Sequence, residues 1–337
     1  MPKRRRVPPV IRPGPRKPTA RLDKERRSQL LVIALGAAVV IAVAAIAIFG
    51  YYQTKIRPRG ETVLQVGTRS FSLDYVERRL RYDIHQGNTS YESNPSQAAA
   101  LLVNEIGQEE LMRQGAPEKG VDLSDEAVDA EIRRRENVPD SADEKTFATA
   151  YRKAIRDSGL STQGYRDVIA ADMANTAIQA IFNEQAPKTA DQVHFRAIVL
   201  TTEDAAKAAL DRLRNGEDFA TVAGEVSEDT ASGAKGGEVD WTPRGLLDSA
   251  LDQALFSLEI GQTSDIITGQ SALFIIQVLE RQNQRDTTDS QRSMLASQAE
   301  QAWLTELQDR LGVAASLSDA RRNSILNVLQ SEVNSGQ

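Results

Sequence analysis

Hydrophobic positions follow three regimes along this chain. From Leu30 to Tyr52 the sequence LLVIALGAAVVIAVAAIAIFGYY is apolar on every side, with no charge between Arg27 and Lys55. As a helix it spans about 34 Å at ~1.5 Å per residue, which matches a hydrocarbon core of roughly 30 Å. The pattern predicts a transmembrane helix over 30–52, with Tyr51 and Tyr52 at the interface. A polar linker with Pro58 and Gly60 follows, then Val63–Val66 reads as a short strand. Helical periodicity then runs to Pro187: about 73–85, 97–114, 124–135, 147–157 and from Ser161 onward. In the last of these Tyr165, Ile169, Met173, Ala177 and Ile181 share a stripe. Gly87–Pro95 reads as loop. The expectation is an all-α domain over 62–187.

The third regime mixes periods of two and 3.6. Val193–Leu200 (VHFRAIVL) reads as a strand, and Thr201-Thr202-Glu203-Asp204 as a capping box opening a helix that stops at Asn215-Gly216. A helix over Asp218–Val226, a glycine-rich loop over Ser232–Gly237, a strand into Trp241 and a helix over Asp248–Leu258 come next. Strands at Ile266–Thr268 and Ala272–Glu280 complete an α+β unit over 190–283. Residues 284–292 read as polar linker. Leu295, Ala299, Trp303, Leu307 and Leu311 then form a helical stripe, and Ser318–Val333 a further helix. These C-terminal helices, 293–337, need a surface to bury against, and the helical domain 62–187 is the natural candidate.

Charge sets the orientation. The net charge is −6, yet residues 1–29 hold eleven Lys or Arg against Asp23 and Glu25, a net +9, so the rest carries −15. The positive-inside rule places the tail 1–29 in the cytoplasm and residues 53–337 outside it, opposed only by Lys55, Arg57 and Arg59. The expected localisation is a single-pass protein of the cell membrane. A cleaved signal peptide is the rival, and Ala45-Ile46-Ala47 offers a small-residue site. However, the apolar run exceeds the roughly 7–15 residues of a signal h-region, which favours an uncleaved anchor. Later cleavage after Ala47 stays open. The basic, proline-rich tail reads as a disordered topogenic flank, and no nucleic-acid partner is expected.

The residue inventory excludes much chemistry. No cysteine is present, which removes disulfides, thiolate zinc sites and cysteine nucleophiles. Two histidines, His85 and His194, leave almost no material for a histidine metal site or a Ser-His-Asp triad. Neither a metal nor a cofactor is expected, and His85 reads as a solvated helix end.

From Ser227 the sequence SEDTASGAKGGEVDWTPRGLLDSALDQALFSLEIGQTSD resembles the parvulin family of peptidyl-prolyl isomerases, and Gly216–Ser227 (GEDFATVAGEVS) matches the segment before it. The likeness covers 193–281 without a large gap. The layout is similar to exported foldase chaperones of the SurA, PrsA and PpiD kind. The resemblance implies a four-stranded antiparallel sheet with flanking helices, joined to a helical chaperone domain. It also implies that the site falls on Asp229, at the family's cysteine-or-aspartate position, and on pocket residues Val239, Leu247, Leu251, Ser271 and Trp241. The two family histidines fall on Ala197 and Phe274; His194 points to the other face of its strand.

Three readings follow. The first is a membrane-anchored extracytoplasmic foldase with peptidyl-prolyl cis-trans isomerase activity, acting on unfolded or newly exported polypeptides. In it Asp229 either acts near the rotating amide or caps a loop beside Ser232, and both stay open. The second is a catalytically inactive holdase that uses the fold for binding only. The third is a scaffold in a membrane assembly. Clients and association into a homodimer also stay open.

Overall fold

A computed structural model describes residues 43–45 and 60–335. The segment Leu30–Tyr52 expected to span the membrane, and the basic tail before it, lie outside the described residues apart from 43–45. Among the described residues no helix is long and apolar enough to cross a membrane.

In chain order the elements are β1 (Thr62–Val66), β2 (Arg69–Ser72), α1 (Leu73–His85), α2 (Ser90–Ser93), α3 (Ala98–Gly115), α4 (Asp125–Arg135), α5 (Glu144–Ser158) and α6 (Thr162–Gln185). Then come β3 (Thr189–Leu200), α7 (Glu203–Arg214), α8 (Phe219–Val226), α9 (Thr230–Gly233), β4 (Glu238–Pro243), α10 (Ser249–Ser257), β5 (Ile267–Thr268) and β6 (Leu273–Asp286). Last are α11 (Asp289–Leu311), β7 (Val313–Ala315) and α12 (Asp319–Ser335). Short polar side chains set the helix starts. Ser72, Ser124, Asp143 and Ser161 accept from the backbone N–H groups of Tyr75, Ala127, Thr146 and Gly164, satisfying donors a helix leaves unpaired.

Periodicity predicts an all-α domain over 62–187, but the domain is not purely α. It carries an antiparallel sheet in the order β2-β1-β7, in which Leu64 faces Ala315 and Val66 faces Val313. Gly87–Pro95 is not all loop either, because Tyr91 is buried within α2 and its hydroxyl donates to Asp83 and Glu105. Residues 284–292 are not a free linker: β6 continues to Asp286, and Thr288 with Gln291 forms the capping box of α11.

One apolar core joins the first and last segments. Leu64 of β1, Leu102 of α3 and Ile178 of α6 pack with Trp303 and Leu307 of α11 and Ile325 of α12. A second core holds Ile132, Phe147 and Ile169 of α4, α5 and α6. The α+β unit is inserted between α6 and α11, and its two connections are tied together. Thr287 donates its N–H to Lys188 O (2.9 Å) and its hydroxyl to Pro187 O (2.7 Å), while the buried Gln192 donates to Arg285 O and Asp286 O.

The inserted unit is a four-stranded antiparallel sheet in the order β4-β3-β6-β5. Alternation along β3 sends Ile198 and Leu200 toward α7 and α8, and Val193, Phe195 and Ala197 toward α10.

A buried ionic layer ties α1 to α3. Arg79, 4% exposed, donates to Asp83 at 2.7 Å and to both carboxylate oxygens of Glu109. Burial pushes Asp83 up to about 6 despite that guanidinium.

Two outcomes are expected. A Cβ on Gly115 would come within 2.4 Å of Leu307 Cδ1 and 2.7 Å of Trp303 Cζ2. Gly115→Ala should therefore lower stability by about 1–3 kcal/mol in urea unfolding, although alanine is the better helix former. Arg79→Met leaves Asp83 buried without its cation and should cost about 3–5 kcal/mol at neutral pH. The folded-state pKa of Asp83 then rises further above its unfolded value. Protonation restores stability, so the deficit shrinks as pH falls from about 8 to about 5. A deficit that does not change with pH would contradict this account of the layer.

Candidate functional site

The α10 side of the sheet carries a cleft, and its shape begins with two glycines. Gly236 and Gly237 both take left-handed backbone angles, and a Cβ on Gly237 would lie 2.5 Å from Ala197 O. Only glycine lets this loop rest on β3, where Ala197 N–H donates to Gly237 O at 2.8 Å. Beyond it β4 is bulged. Phe195 faces Val239 and Val193 faces Thr242, so Asp240 and Trp241 together oppose His194.

The cleft has a volume of about 690 Å³. Leu247 and Phe274 give it apolar surface, and Arg244, Asp252, Gln253, Gln270 and Ser271 stand among its polar lining. Phe274 pairs with Ile267 across the β5–β6 ladder. A Cβ on Gly269 would meet the Phe274 ring at 2.6 Å, so the turn bearing Gln270 and Ser271 sits against that ring. Behind this floor Ala197, Leu251 and Ile276 are buried, with Val239 packed against them. Arg244 lies 3.6 Å from Asp252, and its guanidinium covers the Phe256 ring at 5.0 Å. Asp252 also accepts from Gly245 N–H at 2.7 Å, which holds the loop at the cleft mouth.

The residues singled out in the sequence divide into three groups. Leu247, Ser271 and Phe274 line the cleft. Ala197, Val239 and Leu251 belong to the apolar cluster that supports it. Trp241 and Asp229 are not part of its lining. Trp241 stacks on His194 at 5.8 Å, is covered by Arg285 at 4.4 Å, and accepts from the Gln291 amide through its carbonyl at 2.7 Å. The bulge explains this placement, because the extra residue turns the indole away from the Val239 side. Asp229 makes the loop-capping contacts: it accepts from Ala231 N–H at 3.2 Å and from the Ser232 hydroxyl at 2.6 Å. That hydroxyl holds its carboxyl below the usual carboxylate range.

Sequence reasoning missed Arg244, Asp252, Gln253, Gln270 and, from α11, Gln298, which also lines the cleft. The first four lie inside the segment carrying the family likeness, but at positions to which that likeness assigns no role. Gln298 lies outside that segment, and no sequence signal pointed to it.

Two family profiles match the two domains of the chain. Residues 22–179 match a family profile described as the SurA-like N-terminal domain, and residues 181–282 one described as the PPIC-type PPIASE domain. Chaperone SurA of Methylobacillus flagellatus is 35% identical over 150 residues, which cover 40% of this chain and 34% of that protein. Foldase protein PrsA of Geobacillus kaustophilus is 25% identical over 48% of this chain and 57% of its own length. Among solved structures, PrsA of Bacillus anthracis aligns with a TM-score of 0.39 at 20% identity, covering 67% of this chain and 95% of that one. The match spans about a third of the length of the SurA relative. The chain thus joins a SurA-like N-terminal domain directly to a PPIC-type parvulin domain, and its relatives include proteins named SurA, PrsA and PpiD.

Proposed function

We propose that this chain is a membrane-anchored extracytoplasmic foldase that holds exported polypeptides and receives their Xaa-Pro units in the cleft of its parvulin domain. The observation that carries the reading is the cleft itself, with apolar surface from Leu247 and Phe274 set in a polar rim. Prolyl isomerisation breaks no covalent bond and must lower a rotation barrier of about 18–20 kcal/mol. An apolar floor that takes the pyrrolidine ring and strips water from the amide favours the twisted state, in which resonance is lost. The anchor is Leu30–Tyr52, with 1–29 cytoplasmic and 53–337 outside, supported by the charge asymmetry of the sequence. Asp229 serves the cleft indirectly, by fixing the turn before the two glycines.

A second reading has its own support. Where the family carries histidines this chain has Ala197 and Phe274, so neither position offers a polar group to the twisting amide. A holdase that binds proline segments without turning them over fits that floor equally well.

The two readings separate in an exchange measurement on an Ala-Pro peptide with the full chain in detergent. The isomerase reading expects turnover that Leu247→Asp reduces more than about tenfold, while Asp229→Ala, per folded molecule, changes it by less than about twofold. Peptide binding without acceleration would leave the holdase. For the membrane placement, a periplasm-dependent reporter fused after Gln337 should be active. Activity only from a cytoplasm-dependent reporter at the same site would refute it.

A further inference from the structure

The cleft is not built by the parvulin domain alone. Gln298 belongs to α11, which returns to the core of the helical domain, yet it lines the cleft beside residues of the inserted unit. Helix α11 is fixed there by Gln291, whose amide donates to Trp241 O at 2.7 Å. With Gln253 on α10 and Gln270 on the β5–β6 turn, Gln298 completes a set of three side-chain amides from three separate elements. All three are exposed, and among the described residues no hydrogen bond takes up any of them.

A side-chain amide both donates and accepts, as a peptide group does. A free amide at a cleft mouth therefore suits the main chain of a bound polypeptide whatever its side chains. At about 690 Å³ the cleft is far larger than one prolyl ring needs and falls within the ~300–1,000 Å³ of sites that enclose larger ligands. One turn before Gln298, on the same helix face, Met294 is 52% exposed and offers a flexible apolar contact next to it.

We propose that Gln298 of α11, with Met294 beside it, forms a subsite that holds the main chain of an extended polypeptide some residues away from the proline seated on Leu247 and Phe274. The C-terminal helix thereby sets how long a segment the cleft prefers. This inference rests on the prolyl-cleft reading above.

The test compares two probes on the full chain in detergent: an uncharged octapeptide with a central Ala-Pro, and a capped Ala-Pro dipeptide. Dissociation constants are read by NMR titration, so the result does not depend on turnover. Gln298→Ala and Met294→Ser should each weaken the octapeptide roughly three- to tenfold, about 0.7–1.4 kcal/mol, and leave the dipeptide within twofold. Leu247→Asp should abolish both. Octapeptide affinity unchanged in both α11 variants, or both probes weakened equally, would overturn the subsite while leaving the prolyl cleft standing. Failure of the unaltered chain to bind either probe would overturn the prolyl-cleft reading, and the subsite with it.

Discussion

The structure depends on the burial of its last two helices in its first core. Trp303, Leu307, Ile325 and Leu329 share one apolar interior with Leu64, Leu102, Ile106 and Ile178. Burying an aromatic or branched side chain of this size contributes about 1.5–3 kcal/mol, so the contact is a large fraction of what holds any domain together. Its consequence is topological. Because the chain must return to where it started, the α+β unit between α6 and α11 is held at both ends, and the paired connections at Pro187–Lys188 and Thr287 place it beside α11. One residue of the cleft lining, Gln298, then comes from an element whose own packing lies elsewhere.

Much of this was legible in the sequence because its signals are local. Ser124 and Ser161 cap helices for the reason that such residues precede helical periodicity at all: their side-chain oxygens reach a backbone N–H that has no other partner, whereas the Asp143 cap, which starts its helix at Glu144 rather than Phe147, was not read. Alternation in VHFRAIVL made strand β3 legible, whereas the four-stranded antiparallel sheet was legible only through the family likeness of residues 193–281.

What was not legible depends on partners far along the chain. Strand β7 has three residues, Val313-Ala314-Ala315, too few to display alternation, and only its register against Leu64, Gln65 and Val66 makes it a strand. The stripe read at every fourth residue of α11 drifted, since four residues advance about 40° more than one turn. Ala299 is exposed, and the buried face instead runs through Ala296, Trp303, Leu304 and Leu307. Gln298 sits on the polar side of that helix, where periodicity reports only solvent. Trp241 moved because one extra residue in β4 reverses a face, which the indole's identity does not reveal. Leu247, Ser271 and Phe274, by contrast, all line one cleft.

The most direct measurement of the account is native-state hydrogen exchange on the full chain. If the two ends form one core, the slow amides of β1, α3, α11 and α12 should exchange with a common opening free energy, close to that of global unfolding of the helical domain. Exchange of α11 and α12 at a much lower free energy than α3 would show that the C-terminal helices only rest on that domain, and would contradict the closure on which the composite cleft depends.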